Sequence, residues 1–396
     1  MKSKTVLVTL TLAGLSLLSS CEKAGDPKTS ESGADTGSLE KQVAENYAAI
    51  VYANYSDSLK EATKMAKTIN DFLTKPSAEA FESAKEAWTA ARLPYLQTEA
   101  FRFYEGPIDD EDGPEGLLNA WPMDESYLDY VAGALDAGLI NKPDKFPKID
   151  AALIEELNEK DGEENISSGY HAIEFLLWGQ DQSADGPGKR PFTDYTTAAN
   201  ADRRGAALKA TTDLLLQNLT HLVEEWAPDN EENYRAEFLA DPNEATRRIL
   251  AGIAMLSAFE MASERLLVAY DSKLQEDEHS CFSDTTHNDV VYDLLGIKNV
   301  WEGTYTTLTG EKVEGPGFVA LVEAKDPEMA KRISGFVSES YELGKKIPVP
   351  FDQAILGDDS APGRVAILKT IESLEEQGEL LQKAGKLLGH EVAISE

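Results

Sequence analysis

Between Leu39 and Phe72 the chain returns to an apolar side chain every third or fourth residue: Leu39, Val43, Tyr47, Ile50, Val51, Tyr55, Leu59, Met65, Ile69 and Phe72. An α-helix turns once in about 3.6 residues, so these positions form one stripe, and the two-residue period of a strand is excluded. A stripe this long must be covered by other helices. Further helices are written in the same period. After Pro76, Ser77 is an expected N-cap for a helix through Phe81, Trp88, Leu93 and Leu96 to Phe103, with Pro94 predicting a kink. Short helices are expected over 125–135 and 149–158. Leu208, Leu215, Leu219, Leu222 and Trp226 form another stripe, and a further helix runs from Pro242 through Ile249, Ile253, Leu256 and Leu266 to Tyr270. Helices over 327–343 and 363–387 close the chain. Only 303–317, with alternating threonines, predicts strands, as a small β-hairpin insertion. The fold class expected is all-α: two helical bundles, 39–200 and 201–396, since the pattern restarts near Asp202. The halves suggest a degenerate internal duplication, with Thr286 to Gly296 standing where the first half has its densest motif.

The first residues are not expected to join the fold. Lys2 and Lys4 precede an apolar run from Val6 to Leu18 that is short for a bilayer span. It ends in Leu18-Ser19-Ser20-Cys21, which resembles a bacterial lipobox. That implies a signal peptide over 1–20, lipidation of Cys21 and a flexible tether over 21–38. Glu22 follows the cysteine where the inner-membrane retention signal of enteric bacteria has Asp, so the outer membrane, facing periplasm or cell surface, is the expected location. With 71 acidic against 37 basic residues the net charge is −34, which excludes nucleic acid as a partner. The same charge is compatible with a field that concentrates cations. Cys21 and Cys281 are the only cysteines, so no disulfide framework exists.

Ser168 to Gly179 is the densest motif: a nearly continuous apolar run that carries His171 and Glu174 three residues apart, on one helical face. Burying both demands a counterpart, which is a metal ion, a hydrogen-bond network or a substrate. Gly169 permits close approach of another group to the backbone, and Gly179 is a C-cap candidate. The following breakers, Gly179 to Pro191, form a rim over the site or a plain connection. Glu99 and Arg102 are also three apart, among aromatics, either as an ion pair or as a pocket wall. From His279 to Asp289 the chain packs two histidines, Cys281, Ser283, Asp284 and Asp289 into eleven residues, where Ser283 or Asp284 could also cap the next helix. Cys281 is expected as a small buried hydrophobe. His390-Glu391 lacks the second histidine of a zincin, and His221 falls on a solvent-side position.

Gly169-Tyr170-His171-Ala172-Ile173-Glu174 resembles the G-x-H-x-x-E motif of the imelysin-like family, peptidase family M75. Thr98-Glu99-Ala100-Phe101-Arg102 with Gly106-Pro107-Ile108-Asp109, and the His279 to Asp289 stretch, are similar to two further segments of that family. The family includes insulin-cleaving outer-membrane proteins, iron-regulated periplasmic proteins and relatives of the EfeO iron-uptake component. The resemblance implies two bundles related by an old repeat, with a cation site between them. The expected ligands are His171, Glu174, Glu99, Asp284, His287 and Asp289, in a pocket with Gly169, Arg102 and Ser283. Iron is the favoured ion and zinc the second. The expected function is therefore an envelope-anchored lipoprotein that takes part in iron acquisition, with a metal ion, the membrane and other iron-uptake components as partners. A metallopeptidase is the alternative, although no complete catalytic zinc set is visible in the sequence. A periplasmic binding module independent of metal is the third reading.

Overall fold

The computed structural model describes residues 32–184 and 186–394. The signal peptide expected over 1–20 and Cys21 lie outside these residues. The opening stripe forms one helix, Ser32–Thr74, whose Val43, Tyr47, Ile50, Val51, Tyr55, Met65, Ile69 and Phe72 are buried. Residues 32–38, expected as tether, belong to this helix. It packs against the Ala78–Leu96, Ala201–Glu225 and Pro242–Met255 helices, so one long element serves both halves of the chain.

Helix ends follow local chemistry. The Ser77 side chain accepts a hydrogen bond from the Ala80 amide and starts the second helix as expected. That helix stops at Leu96, not Phe103. Pro94 sits in its last turn, the chain tightens into a 3₁₀ turn over Gln97–Phe101, and Phe103 takes a left-handed φ of 69°. Asp109 accepts hydrogen bonds from the Phe103 and Gly106 amides and fixes this reversal. The helix expected over 125–135 is a single turn, Glu125–Leu128. Asp129 leaves it to enter a buried ion cluster, accepting bonds from Arg204 Nε at 2.6 Å and Arg190 Nη1 at 2.7 Å. Asp150 caps the Ala151–Leu157 helix.

The helix that begins at Pro242 changes pitch. Leu256–Leu267 is π-helical and returns to α geometry at Val268–Ser272. Residues five apart become neighbours here: Ser263 Oγ donates to the Ala258 carbonyl, and Arg265 Nε donates to Glu260 Oε1 at 2.8 Å. The Thr286–Glu302 helix is followed by the hairpin, Thr304–Thr306 antiparallel to Lys312–Glu314 with Tyr305 opposite Val313. Helices Pro327–Gly344 and Pro362–Leu388 complete an all-α fold with one small hairpin. A single contiguous apolar core runs through all of these elements. Gly296 sets one crossing that matters below: a Cβ there would lie 2.4 Å from the Gln97 carbonyl oxygen. Its absence lets the Thr286–Glu302 helix press against the Gln97–Phe101 turn. No helix among the described residues is long and apolar enough to cross a membrane.

Candidate functional site

The motif helix, Gly169–Trp178, is buried along its whole length. Gly169 has a φ of +81°, and a Cβ there would meet the Leu118 carbonyl oxygen at 2.6 Å. The close approach it permits is thus to the chain's own backbone. His171 and Glu174 are fully buried and face each other, Nδ1 to Oε2, at 2.9 Å. The other carboxyl oxygen, Oε1, accepts bonds from the Ser283 amide at 2.9 Å and Ser283 Oγ at 2.6 Å. The His279–Asp289 segment therefore closes over the motif helix, and Ser283 serves Glu174. The next helix starts from Thr285 without a side-chain cap.

A second imidazole lies against the first. The His279 ring centroid is 4.7 Å from that of His171, at 71°, and Trp121 is 4.9 Å from His171 on another side. His279 Nδ1 is 3.0 Å from Asp289 Oδ2, which also accepts from Ser280 Oγ at 2.5 Å. Arg92 Nη2 donates to Asp289 Oδ1 at 3.2 Å, and its Nη1 to Asn119 Oδ1 at 2.5 Å. Asn119 in turn reaches Glu99 Oε1 at 3.4 Å. Glu99 Oε2 accepts from Arg102 at 2.7 Å and from Arg265 at 2.5 Å, and Arg265 also donates to Asp293 at 2.9 Å. The π-helix matters at this point, because it turns Glu260 and Arg265 to one side and aims the guanidinium inward.

Proton positions follow from these partners. Burial raises the Glu174 carboxyl to about 8 against the pull of Ser283 and Arg92, so it is protonated at neutral pH. Burial, then the charges of His279, Arg92 and Arg265, hold His171 well below the usual histidine range. The His171–Glu174 contact is thus a neutral hydrogen bond. Burial works against Asp289 as well, but Arg92 and His279 overcome it and lower the carboxyl to about 2. Glu99 is lowered to about 2 in the same way, by Arg102 and Arg265. Burial and Arg265 lower His279 despite Asp289, so its ring is neutral at pH 7. With an ionised carboxylate at Nδ1, that nitrogen carries the proton and Nε2 keeps its lone pair.

His279 opens onto a cleft of about 700 Å³. Arg102, Arg265, Asn119 and Trp121 line it with His279, and Glu159, Glu163, Glu164, Glu264, Glu276 and Asp277 are among its other lining residues, with Pro122 and Val268. Of the residues expected from sequence, His171, Glu174, Ser283, Asp289, Glu99 and Arg102 come together around this cleft and the core behind it. Asp284 and His287 make no side-chain hydrogen bond to them. Asp284 instead falls near Asp181 and Asp352, with its φ at +54° and burial raising its carboxyl to about 7. His287 leaves Nδ1 buried and unpartnered. Cys281 is buried, His221 is exposed, and His390 meets Thr246 at 3.2 Å. Arg92, Asn119, Arg265 and Asp293 join the site without a sequence signal beyond their charge or polarity. His279 stood in the clustered stretch but was not among the expected ligands.

The fit to a metal ion rests on the imidazoles. His171 Nε2 is buried without a hydrogen-bond partner. Both rings have Nδ1 held by a carboxyl group, the arrangement that orients a ligating histidine. The carboxylates fit less well: Glu99 and Asp289 are taken up by guanidinium groups, and Glu174 backs an imidazole. Among the described residues no three His, Cys, Asp or Glu side chains converge as a ligand set. The chain thus offers His279 Nε2 as a free nitrogen donor beside a carboxylate-lined cleft; with the Glu174 proton facing Nδ1, His171 Nε2 becomes a second donor only when that proton is lost.

The chain is 24% identical over 347 residues to iron-regulated protein A of Synechococcus elongatus, covering 84% of this chain and 82% of that one. Its fold is similar to the crystal structure of an iron-regulated protein A precursor from Parabacteroides distasonis, with a TM-score of 0.66, 16% identity, and coverage of 88% of this chain and 95% of that one. It is similar as well to an imelysin-like protein from Psychrobacter arcticum, with a TM-score of 0.63, 13% identity, and coverage of 90% and 98%. The imelysin family model, peptidase M75, matches residues 51–381. With that match across most of its length, and with the fold of its relatives, the chain belongs to the imelysin family.

Proposed function

We propose that this protein is an iron-binding member of the imelysin family, held in the cell envelope by lipid on Cys21, and that His171 and His279 are the metal ligands. The observation that carries this reading is the paired imidazoles, in which His171 Nε2 is buried without a partner next to a second ring, each with Nδ1 bound to a carboxyl group. A buried ring nitrogen with no partner is costly, and a cation would compensate it. Imidazole nitrogen together with carboxylate oxygen suits iron or zinc. The iron-regulated relative in Synechococcus elongatus supports iron. A bound ion would supply Lewis acidity, Glu174 and Asp289 would orient the rings, and oxygen donors would come from the cleft or from water. A metallopeptidase is the second reading: a catalytic zinc takes three protein ligands, and among the described residues no three His, Cys, Asp or Glu side chains converge.

Calorimetric titration with anoxic ferrous iron and with zinc tests the proposal. His171→Ala and His279→Ala are each expected to weaken binding at least about 100-fold while far-UV circular dichroism stays helical. Unchanged affinity in both variants rejects the site. Palmitate labelling that persists in a Cys21→Ala variant would reject the anchor.

A further inference from the structure

The charges of the cleft divide into two groups. Arg102 and Arg265, the only basic residues that line it among the described residues, are neutralised where they stand: Arg102 by Glu99 and Glu115, Arg265 by Glu99, Glu260 and Asp293. Toward solvent, Glu163, Glu164, Glu264 and Glu276 are exposed carboxylates, and none of them forms an ion pair among the described residues. They come from three separate segments of chain that face one opening. At the inner end His279, only 5% exposed, presents a ring whose Nδ1 is already satisfied by Asp289. The polar atom that looks into the cleft is therefore a ring nitrogen, and both guanidinium groups beside it are already paired, so none is free to receive an anion.

We infer that the cargo of this cleft is a free hydrated cation, and that an anionic metal chelate is excluded. The inference rests on the metal-binding reading and narrows it to one class of ligand. An opening lined by one sign of charge focuses its field, raising the local concentration of cations and their association rate by a factor of about 10 or more. The same field opposes a ferric chelate that carries net negative charge, as does the protein's overall charge of −34. Water released from the ion is replaced by the imidazoles inside, so the unpaired carboxylates act on entry and the histidines on retention.

Stopped-flow fluorescence separates these roles, with Trp121 at 4.9 Å from His171 as reporter. The probes are ferrous iron under anoxia and ferric citrate in excess citrate, and the variant is Glu163→Gln/Glu164→Gln/Glu264→Gln. These three side chains are exposed, so the fold should tolerate the change, and the thermal midpoint checks this. The expected result is His279-dependent binding of ferrous iron, with an association rate that drops about tenfold in the variant and falls with added salt, at an unchanged dissociation rate. Ferric citrate should give no His279-dependent signal. An unchanged association rate in the variant, or ferric citrate bound through His279 as tightly as ferrous iron, would overturn the inference while leaving the metal site standing. If neither probe binds, the metal reading falls and takes this inference with it.

Discussion

The site contains two imidazole–carboxyl pairs of nearly equal length, His171–Glu174 at 2.9 Å and His279–Asp289 at 3.0 Å, and they hold their protons differently. Asp289 has a guanidinium, a hydroxyl and an imidazole on it and is ionised. Glu174 has only Ser283 besides its imidazole and is neutral. Both carboxyls are fully buried from solvent or nearly so, and burial by itself would protonate both. Arg92 makes the difference. The same contact thus yields one ring with a free lone pair and one ring that shares a proton with its partner.

Removing that difference should have the largest effect. Arg92→Met leaves Asp289 buried without its counter-charge, and unfolding by urea at pH 7 should show a loss of about 3–5 kcal/mol. A loss below about 1 kcal/mol would mean that Arg92 does not hold the carboxylate ionised. Next comes Glu174→Gln, which keeps the shape of the neutral carboxyl. The folded carboxyl titrates near 8 and the unfolded one near 4.3, so between these values the native state holds the extra proton. Wild-type stability should therefore fall as pH rises through this window, while the variant's contribution stays flat. The variant should gain on the wild type by a few kcal/mol at most between pH 5 and about 8, with no further gain above. Parallel denaturation curves across that range would place the proton elsewhere.

Metal affinity sharpens the comparison from the other side. The Glu174 carboxyl can release its proton when an ion binds His171 Nε2, whereas the amide of Glu174→Gln cannot, so this variant should weaken ferrous iron or zinc about 10–100-fold by calorimetry. Asp289→Asn should do the same through His279. Equal affinity in either variant would remove that ring from the ligand set. The smallest effect belongs to Ser283→Ala, which takes one hydroxyl from a carboxyl that keeps the amide bond. It should cost about 1 kcal/mol and raise the Glu174 titration further, visible by carboxyl-labelled NMR.

Much of this was legible in the sequence, for a physical reason. Period and caps are local properties, so the Leu39–Phe72 stripe, the Ser77 cap, the hairpin and the two closing helices follow from neighbouring residues. His171 and Glu174 are visible because one helix turn brings them together. The helix ends at Leu96 and Leu128 were not legible, because the reversal after the first is fixed by Asp109 from beyond the helix, and Asp129 leaves the second for guanidinium groups 61 and 75 residues away. Arg92 and Asp293 join the site from separate helices that meet where Gly296 allows close contact. Asp284 has the right type and neighbourhood in sequence, yet the left-handed turn at its own backbone directs it toward other carboxyls.

The π-helical stretch Leu256–Leu267 makes the chain's residue count part of the site. Within it Glu260 and Arg265, five residues apart, share a hydrogen bond, and from that side Arg265 reaches Glu99 and Asp293. Deleting one residue between Ala258 and Glu264 would let the stretch wind as an ordinary α-helix, continuous with both flanks. The molecule would keep its helix and lose the alignment of its arginine, so length here encodes chemistry that no substitution at the site itself would reveal.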